Sequence, residues 1–326
     1  MTTTDADTSA AAPPPKGTPQ GKRRVGDVVF ANTARGSGLL ILLILAGVAA
    51  FLLFQSWDSL QANTANFFTT TEWNASTRTD PAFGVAALAF GTVLAAAIAL
   101  LLATPVAIGI ALFIVYYAPR RLAAILGYIV DLLAAIPSVV YGLWGVGYLV
   151  FQLEPAYRLL EQYLGWIPLF QGPVSTTGRT MLSAGIVLAV MILPIITAMS
   201  RDVFHQVPQA HREAALALGS TRWEMIRMAV LPYGRPGIIG GAMLGLGRAL
   251  GETMAVAMIL SPALVISPFL LQSGNQTIAA HIALQYPEAT GYGVSALIAA
   301  GLVLFAITLV VNMGARFIVA RRKEFS

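Results

Sequence analysis

Two oppositely charged residues, Arg248 and Glu252, stand one helical turn apart in the apolar, glycine-rich segment 237–260. Ionised side chains are costly inside a lipid bilayer, and those found there usually mark a solute pathway, a proton relay or a sensor. A guanidinium keeps its charge when it loses water, and its planar fork of donors matches the oxygens of carboxylate or phosphate. The pair therefore predicts a passage for a polar solute across a membrane.

Helical geometry places these two charges on a face with few side chains. At 100° per residue, the charges share one narrow sector with Gly237, Gly241 and Gly245. Small residues let a second helix approach closely or leave room for a passage. Arg248 is eleven residues from Gly237, which at about 1.5 Å per residue predicts a position near the membrane midplane. The competing interpretation is a buried Arg–Glu pair that holds helices together.

Composition predicts an all-α integral membrane protein. Hydrophobic residues make up 57% and charged residues 11% of the 326 positions, whereas soluble domains are about 25% charged. The alternating ten-residue segments of a β-barrel do not occur. Six segments are apolar enough and long enough to cross a membrane. They are residues 39–56, 84–116, 123–151, 181–200, 237–260 and 292–319.

The distribution of positive charge predicts the orientation. Of the 20 Lys and Arg residues, sixteen fall in the tails and loops on one side, and three (Arg78, Arg158 and Arg179) fall on the other. Because positive loops stay in the cytoplasm, we expect both termini and the 201–236 loop there. The net charge of +5 then follows from topology, with no need for a nucleic-acid partner.

The chain ends divide into segments of different character. Residues 1–38 are rich in Thr, Ala, Pro and basic residues, which predicts a disordered cytoplasmic tail. We expect 39–56 to be the first transmembrane helix, although its small residues leave a cleaved signal peptide as an alternative. Residues 84–320 form the predicted transport domain, and 321–326 the cytoplasmic C-terminus.

Motifs for catalysis or cofactor binding are absent from the sequence. It contains no phosphate-binding loop of the nucleotide-hydrolysing type and no paired-histidine zinc motif. It has no cysteine, and its three histidines (His205, His211 and His281) are scattered across loops on both sides of the membrane. No serine has a base at recognisable spacing. We therefore predict no catalytic residue, no metal and no cofactor in this chain, and ATP hydrolysis would have to come from a partner.

The second and third predicted spans contain further polar or strained positions. Pro105 and Pro137 each remove a backbone hydrogen bond and favour a kink. Ser138 and Tyr141 follow Pro137, so their hydroxyls are candidates for contact with a passing anion, although bonding within the protein competes. Asp131 is expected to pair with a nearby arginine.

The 201–236 loop predicts two short surface helices. Pro208 suits the first turn of a helix over 209–218, and Gly219 suits its end. Thr221 and Glu224 form a capping-box pattern for a second helix, expected to end by Leu231-Pro232. Such an arginine-rich pair predicts a docking element, and a solvated connector is the alternative.

Three motifs resemble those of a known family. EAALALG at 213–219, followed by Leu231-Pro232, is similar to the loop of importer permeases that are served by a separate ATPase, with Ala229 where isoleucine is preferred. GLGRALGETMAV at 245–256 and AIPSVVYGLWG at 135–145 resemble the permeases of bacterial high-affinity phosphate importers, the PstC type. The resemblance covers about 84–320.

The resemblance implies a type I ABC importer permease with MetI-like architecture in the bacterial inner membrane. It also implies a second permease of the PstA type, an ATPase dimer, an external phosphate-binding protein and inorganic phosphate as substrate. By this resemblance, Arg248 and Glu252 would be the residues linked to the passage of phosphate. The ATPase-coupling residues it implies are Glu213, Ala214, Ala215, Gly219, Leu231 and Pro232.

Other functions stay open on the sequence. A permease for molybdate or sulfate would share the 213–219 motif, so the surroundings of Arg248 discriminate between oxyanions. An anion channel or a membrane sensor of phosphate could also use Arg248. Uptake that persists without the ATPase would favour the channel, and binding of partners without uptake would favour the sensor.

Overall fold

The computed structural model of the protein describes residues 25–76 and 80–323. It divides into two compact units, one up to Val48 and one from Ala49 onward. Helix α1 (Val25–Ala62) contains all described residues of the first unit. The helices of the second unit that follow are α2 (Ala86–Leu112), α3 (Arg120–Ala134), α4 (Ser138–Trp144), α5 (Val150–Leu164), α6 (Met181–His205), α7 (Gln209–Ala217), α8 (Arg222–Met225), α9 (Leu231–Leu250), α10 (Met254–Ile259), α11 (Ile278–Gln285) and α12 (Gly293–Lys323).

Helix α1 begins earlier than the sequence predicted. Residues 25–38 are helical, so the prediction that they belong to a disordered tail is wrong; residues 1–24 of that tail lie outside the described residues. No proline, which would break a helix, occurs after Pro19 in this region. At the other end of the chain, α12 continues through Lys323, into the predicted C-terminal tail.

The spans agree in part with the prediction. Among the described residues, four helices are long and apolar enough to cross a membrane: 26–62, 86–117, 181–205 and 293–317. The third predicted span is a pair, α3 and α4–α5, bent by 92°, and counting it gives five. Helix α9, in the fifth predicted segment 237–260, does not reach that threshold, because glycines and two arginines dilute its apolar residues. The predicted count of six is therefore not confirmed.

The core of the second unit is built from small residues. Along α2, Ala95, Ala99, Ala103 and Ala107 recur every fourth position and are buried, so this edge of the helix allows close approach. Helix α6 packs there, and a Cβ on its Gly185 would lie 2.4 Å from Ile98. Pro105 lies within α2, which stays continuous from Ala86 to Leu112. A two-stranded hairpin, β1 (Trp73–Asn74) with β2 (Ala82–Phe83), precedes α2.

Three helices carry short π-helical segments at Phe113–Tyr117, Gly145–Leu149 and Ile226–Val230. Such segments are rare and often accompany functional sites. The third segment joins α8 directly to α9, so the prediction that a helix ends by Leu231-Pro232 is wrong. Pro232 lies in the first turn of α9, where the wider π turn before it accommodates the missing backbone donor.

His281 is a buried titratable group on α11, which is not among the candidate spans. Its ring is 5% exposed and meets Trp73 edge-on, with centroids 4.6 Å apart. Loss of water on burial lowers the pKa of the imidazole from 6.5 to about 4. The folded state thus binds a proton less readily than the unfolded chain, and stability falls as pH drops below 6.5.

We expect this loss to reach roughly 3 kcal/mol between pH 6.5 and pH 4 in purified protein. His281→Phe keeps an aromatic ring and removes the titration, so the fall in thermal stability over this window should become shallower. The exposed His205 offers a matched control, since His205→Phe leaves the slope in place. An equal slope in wild type and His281→Phe would contradict the assignment.

Candidate functional site

Helix α9 carries Arg248 along a tight contact with α6. A Cβ on Gly237 would lie 2.1 Å from Val203, and one on Gly241 2.9 Å from Met199. Of the two predicted uses of this glycine face, the structure therefore shows close helix approach. Gly240 and Gly247, on the adjacent face, have no heavy atom within 4 Å of an added Cβ. Arg248 follows on the same sector of the helix as the packed glycines, and its side chain is half-buried.

The helix breaks immediately after this arginine. Helix α9 ends at Leu250, and α10 starts at Met254, so the prediction of one continuous helix over 237–260 is wrong. Glu252 is 8% exposed, and its Oε1 accepts a hydrogen bond from the Ala255 backbone N–H at 3.1 Å. A carboxylate at a helix start satisfies a free donor and meets the positive end of the dipole, which favours the new helix.

Arg248 and Glu252 do not pair as the shared-helix geometry suggested. No ion pair within 4.0 Å joins them among the described residues. The predicted neutralising contact is therefore not formed in this conformation, and neither is the purely structural Arg–Glu pair. The guanidinium Nε is buried and makes no hydrogen bond within the described chain. A buried donor without an acceptor costs about 1–3 kcal/mol, so this side chain favours an added acceptor.

A second helical break lies next to α9–α10, in the bent pair formed by α3 and α4–α5. Pro137 precedes α4, at the 92° bend between α3 and α4–α5, so the kink expected there is a full break. Helix α4 packs on α10 through glycines: a Cβ on Gly142 would lie 2.8 Å from Ala255 Cα, and one on Gly145 2.8 Å from Ile259. The bent span that contains α4 and the broken helix α9–α10 are therefore held in contact beside their breaks.

This contact brings Tyr141 and Arg248 together. Tyr141 is buried, and its phenol lies within electrostatic range of the Arg248 guanidinium. The hydroxyl donates to the Leu133 carbonyl across the bend at 2.9 Å, so it bonds within the protein. Ser138 begins α4, is half-exposed, and makes none of the hydrogen bonds found among the described residues. The structure therefore brings Tyr141 to Arg248, and Ser138 lies three residues earlier, at the start of the same helix.

The predicted coupling residues lie on and around α7. Glu213 and Ala214 are exposed, and the Glu213 carboxylate accepts from Gln209 Nε2 at 2.6 Å. Ala215 faces inward, while Gly219 ends the helix at φ +80°. These positions confirm the helix start and stop expected from the sequence. Thr221 and Glu224 form both bonds of the predicted capping box at the start of α8, and they lower the pKa of the Glu224 carboxyl.

Asp131 pairs with an arginine, as expected. Its Oδ1 lies 3.3 Å from Nη2 of Arg201, which also bonds Asp202 at 3.4 Å. The pair lines an open cavity of about 440 Å³ between α3 and α6, together with Tyr128 and His205. Asp131 is 55% exposed, and exposed ion pairs contribute little to stability. The Asp131–Arg201 ion pair is therefore a contact at the protein surface.

Asp131→Asn should therefore leave thermal stability within about 1 kcal/mol of wild type. Transport should be unchanged as well, because a carboxyl that pairs at the surface carries no proton across the membrane. Thermal unfolding and solute uptake measured on the same preparation check both parts. Loss of uptake in a stable Asp131→Asn protein would make this residue part of the pathway.

Sequence reasoning missed two functional contacts. Gly142 fixes α4 against α10, although its signal was present as a glycine repeat within the 135–145 motif. The contact of Arg212 with the ring of Tyr116, at 6.0 Å from the centroid, joins residues far apart in the chain. Neither periodicity nor local spacing indicates such a pair.

Comparison with known proteins finds a family model and relatives that match more than half of this chain. Residues 103–324 match the model of the family described as binding-protein-dependent transport system inner membrane component. The chain is 49% identical over 302 residues to phosphate transport system permease protein PstC 2 of Mycobacterium tuberculosis, covering 90% of this chain and 92% of that protein. It is 50% identical over 277 residues to the corresponding PstC of Mycobacterium leprae, covering 83% and 86%.

A solved structure shows the same fold at lower identity. The inward-facing MetNI methionine ABC transporter matches with a TM-score of 0.50 and 18% identity, over 71% of this chain and 94% of that one. This likeness concerns architecture alone. It confirms the expected all-α, MetI-like permease fold.

Proposed function

Since this chain belongs to the family of binding-protein-dependent transport system inner membrane components, we propose that it is the permease subunit that carries inorganic phosphate across a bacterial cytoplasmic membrane. Its relatives at 49–50% identity are named phosphate transport system permeases. Such chains are transport subunits of ABC importers, and ATP hydrolysis belongs to a separate subunit. One observation carries the proposal: a half-buried guanidinium with an unsatisfied donor lies at the break between α9 and α10, where α10 packs against the bent span that contains α4.

The chemistry of Arg248 suits hydrogen phosphate. The guanidinium is permanently charged and presents parallel N–H donors to two phosphate oxygens. We assign Tyr141 and Ser138 to the same phosphate site, beside Arg248. Glu252 Oε1 bonds the start of α10, and its other oxygen is the proposed acceptor for the hydroxyl proton of hydrogen phosphate. A fully deprotonated anion such as sulfate offers no proton and would be disfavoured there.

Partners follow from the family and from the exposed face of α7. Importers of this type work with an ATPase and a binding protein. We assign the exposed Glu213, Ala214 and Gly219 to the surface that meets the ATPase dimer. The buried Ala215 packs α7 against the body of the protein, and Leu231-Pro232 leads into α9. The second permease would be of the PstA type, and the external protein would deliver phosphate. We also propose that both termini and the 201–236 loop lie in the cytoplasm, because positively charged loops stay there.

The proposed cycle is alternating access. ATP-driven closure of the ATPase dimer would displace α7, and the site at Arg248 would open to each side in turn. Breaks within membrane helices are common at such sites, because a polar solute replaces the freed backbone partners. The breaks before Ser138 and after Leu250 are the proposed gate positions.

The test is reconstitution of the chain with its partners in liposomes. Labelled phosphate should enter only with ATP and binding protein, and an excess of sulfate or molybdate should leave its uptake unchanged. Competition by molybdate or sulfate would identify another oxyanion as the substrate. Phosphate entry with an inactive ATPase would identify a channel, and either result would overturn the proposal.

A further inference from the structure

Helix α7 has an inward face that the proposed ATPase contact does not use. Leu216 and Leu218 are exposed, the latter to 88%, whereas Ala215 and Arg212 turn toward the body of the protein. Ala215 belongs to a cluster of buried residues that we name the coupling cluster. Its members are Ala111, Leu112, Phe204, Val207, Ala215, Met225, Ile226, Val230 and Ile238.

Arg212 and Tyr116 make the polar contact beside this cluster. The Arg212 guanidinium lies over the Tyr116 ring at 6.0 Å from its centroid, and its Nε is buried without a hydrogen-bond partner in the described chain. The Tyr116 hydroxyl donates to the Phe204 carbonyl at 3.0 Å. One tyrosine thus connects α7 with the end of α6, while its own backbone belongs to the segment that follows α2.

The backbone at this point is irregular in two places. Tyr116 lies in the π-helical segment Phe113–Tyr117, and Ile226–Val230 is π-helical as well. Side chains of both segments pack against the coupling cluster. A π turn holds an extra residue, so a helix can change register there at lower cost than in a regular α-helix. Beyond Val230, α9 runs unbroken to Leu250 and carries Arg248.

We propose that Arg212, through Tyr116, is the positioning residue that transmits displacement of α7 to α2 and α6. The inference rests on the proposed coupling function of α7. A desolvated cation over an aromatic ring resists separation more strongly than apolar contact alone, and Arg212 has no described hydrogen bond to hold it elsewhere. Ala215 packs α7 against the coupling cluster, and the contact of Arg212 with Tyr116 ties α7 to the segment that follows α2.

The experiment separates transmission from docking. In the assembled transporter, Arg212→Gln and Tyr116→Leu should retain partner binding and ATP hydrolysis, while phosphate moved per ATP falls about tenfold. Tyr116→Phe keeps the ring and should fall less. The double variant should be no worse than either single variant, because both remove one contact. Arg222→Gln, an exposed arginine on α8, is the matched control.

A second readout does not depend on the substrate. A single thiol introduced by Ser138→Cys should change its labelling rate on ATP binding, and Arg212→Gln should abolish that change. If the Ser138→Cys protein with Arg212 intact shows the change, yet the wild-type complex carries no phosphate, the assigned substrate fails and the transmission role stands. Loss of partner binding, additive defects in the double variant, or normal transport in Arg212→Gln would overturn the inference.

Discussion

Replacement of Arg248 by alanine should abolish phosphate uptake while the transporter stays assembled. Hydrogen bonds to a charged group are worth about 1.5–3 kcal/mol, which corresponds to at least about a tenfold loss of rate. Arg248→Lys keeps the charge and loses the planar fork, so it should also transport poorly. Initial rates of labelled phosphate uptake in proteoliposomes, normalised to assembled complex, measure both effects.

The matched control lies on the same helix. Arg235 is an exposed arginine of α9, thirteen residues before Arg248, and Arg235→Lys should transport at the wild-type rate. Wild-type uptake by both Arg248→Ala and Arg248→Lys would remove this side chain from the pathway. A loss confined to complexes that fail to assemble would point to a structural role instead.

Gly142→Ala should impair transport almost as severely. The added methyl would lie 2.8 Å from Ala255 Cα, and backbone cannot move aside as a flexible side chain can. Overpacking of this kind costs about 1–3 kcal/mol, and its relief would separate α4 from α10. Tyr141 would then move away from Arg248. We expect lower thermal stability together with a large loss of uptake.

Gly147→Ala tests the same exchange in open space. An added Cβ there has no neighbour within 4 Å, and Gly147 is exposed in the π-helical segment that follows α4. Any general effect of alanine on helix propensity is shared by the two variants. Equal behaviour of Gly142→Ala and Gly147→Ala would show that the α4–α10 contact is unimportant.

Local signals in the sequence predicted local structure well. Pro208, Gly219, Thr221 and Glu224 mark the helix ends of the coupling region because each acts through its own backbone or near neighbours. Composition predicted an integral membrane protein, and the three motifs predicted the permease fold. Arg248 was identified because charge is rare inside an apolar segment.

Tertiary packing decided what the sequence did not reveal. The helical pattern continues through residues 251–253, yet the helix breaks there, since the Glu252 carboxylate competes by capping α10. Pro137 indicated a kink, but the 92° size of the bend does not follow from this one residue, and the docking of Gly142 against Ala255 beyond the bend joins residues far apart in the chain. The pairing of Arg212 with Tyr116 likewise arises only when distant helices meet.

The most direct test asks whether phosphate occupies the place beside Arg248. The chain has no cysteine, so Ser138→Cys provides a single thiol when the partners are cysteine-free. Phosphate should slow its reaction with a small anionic thiol reagent, sulfate should not, and a thiol at exposed Thr176 should react at one rate throughout. Equal labelling of the Ser138→Cys thiol with and without phosphate would contradict the account.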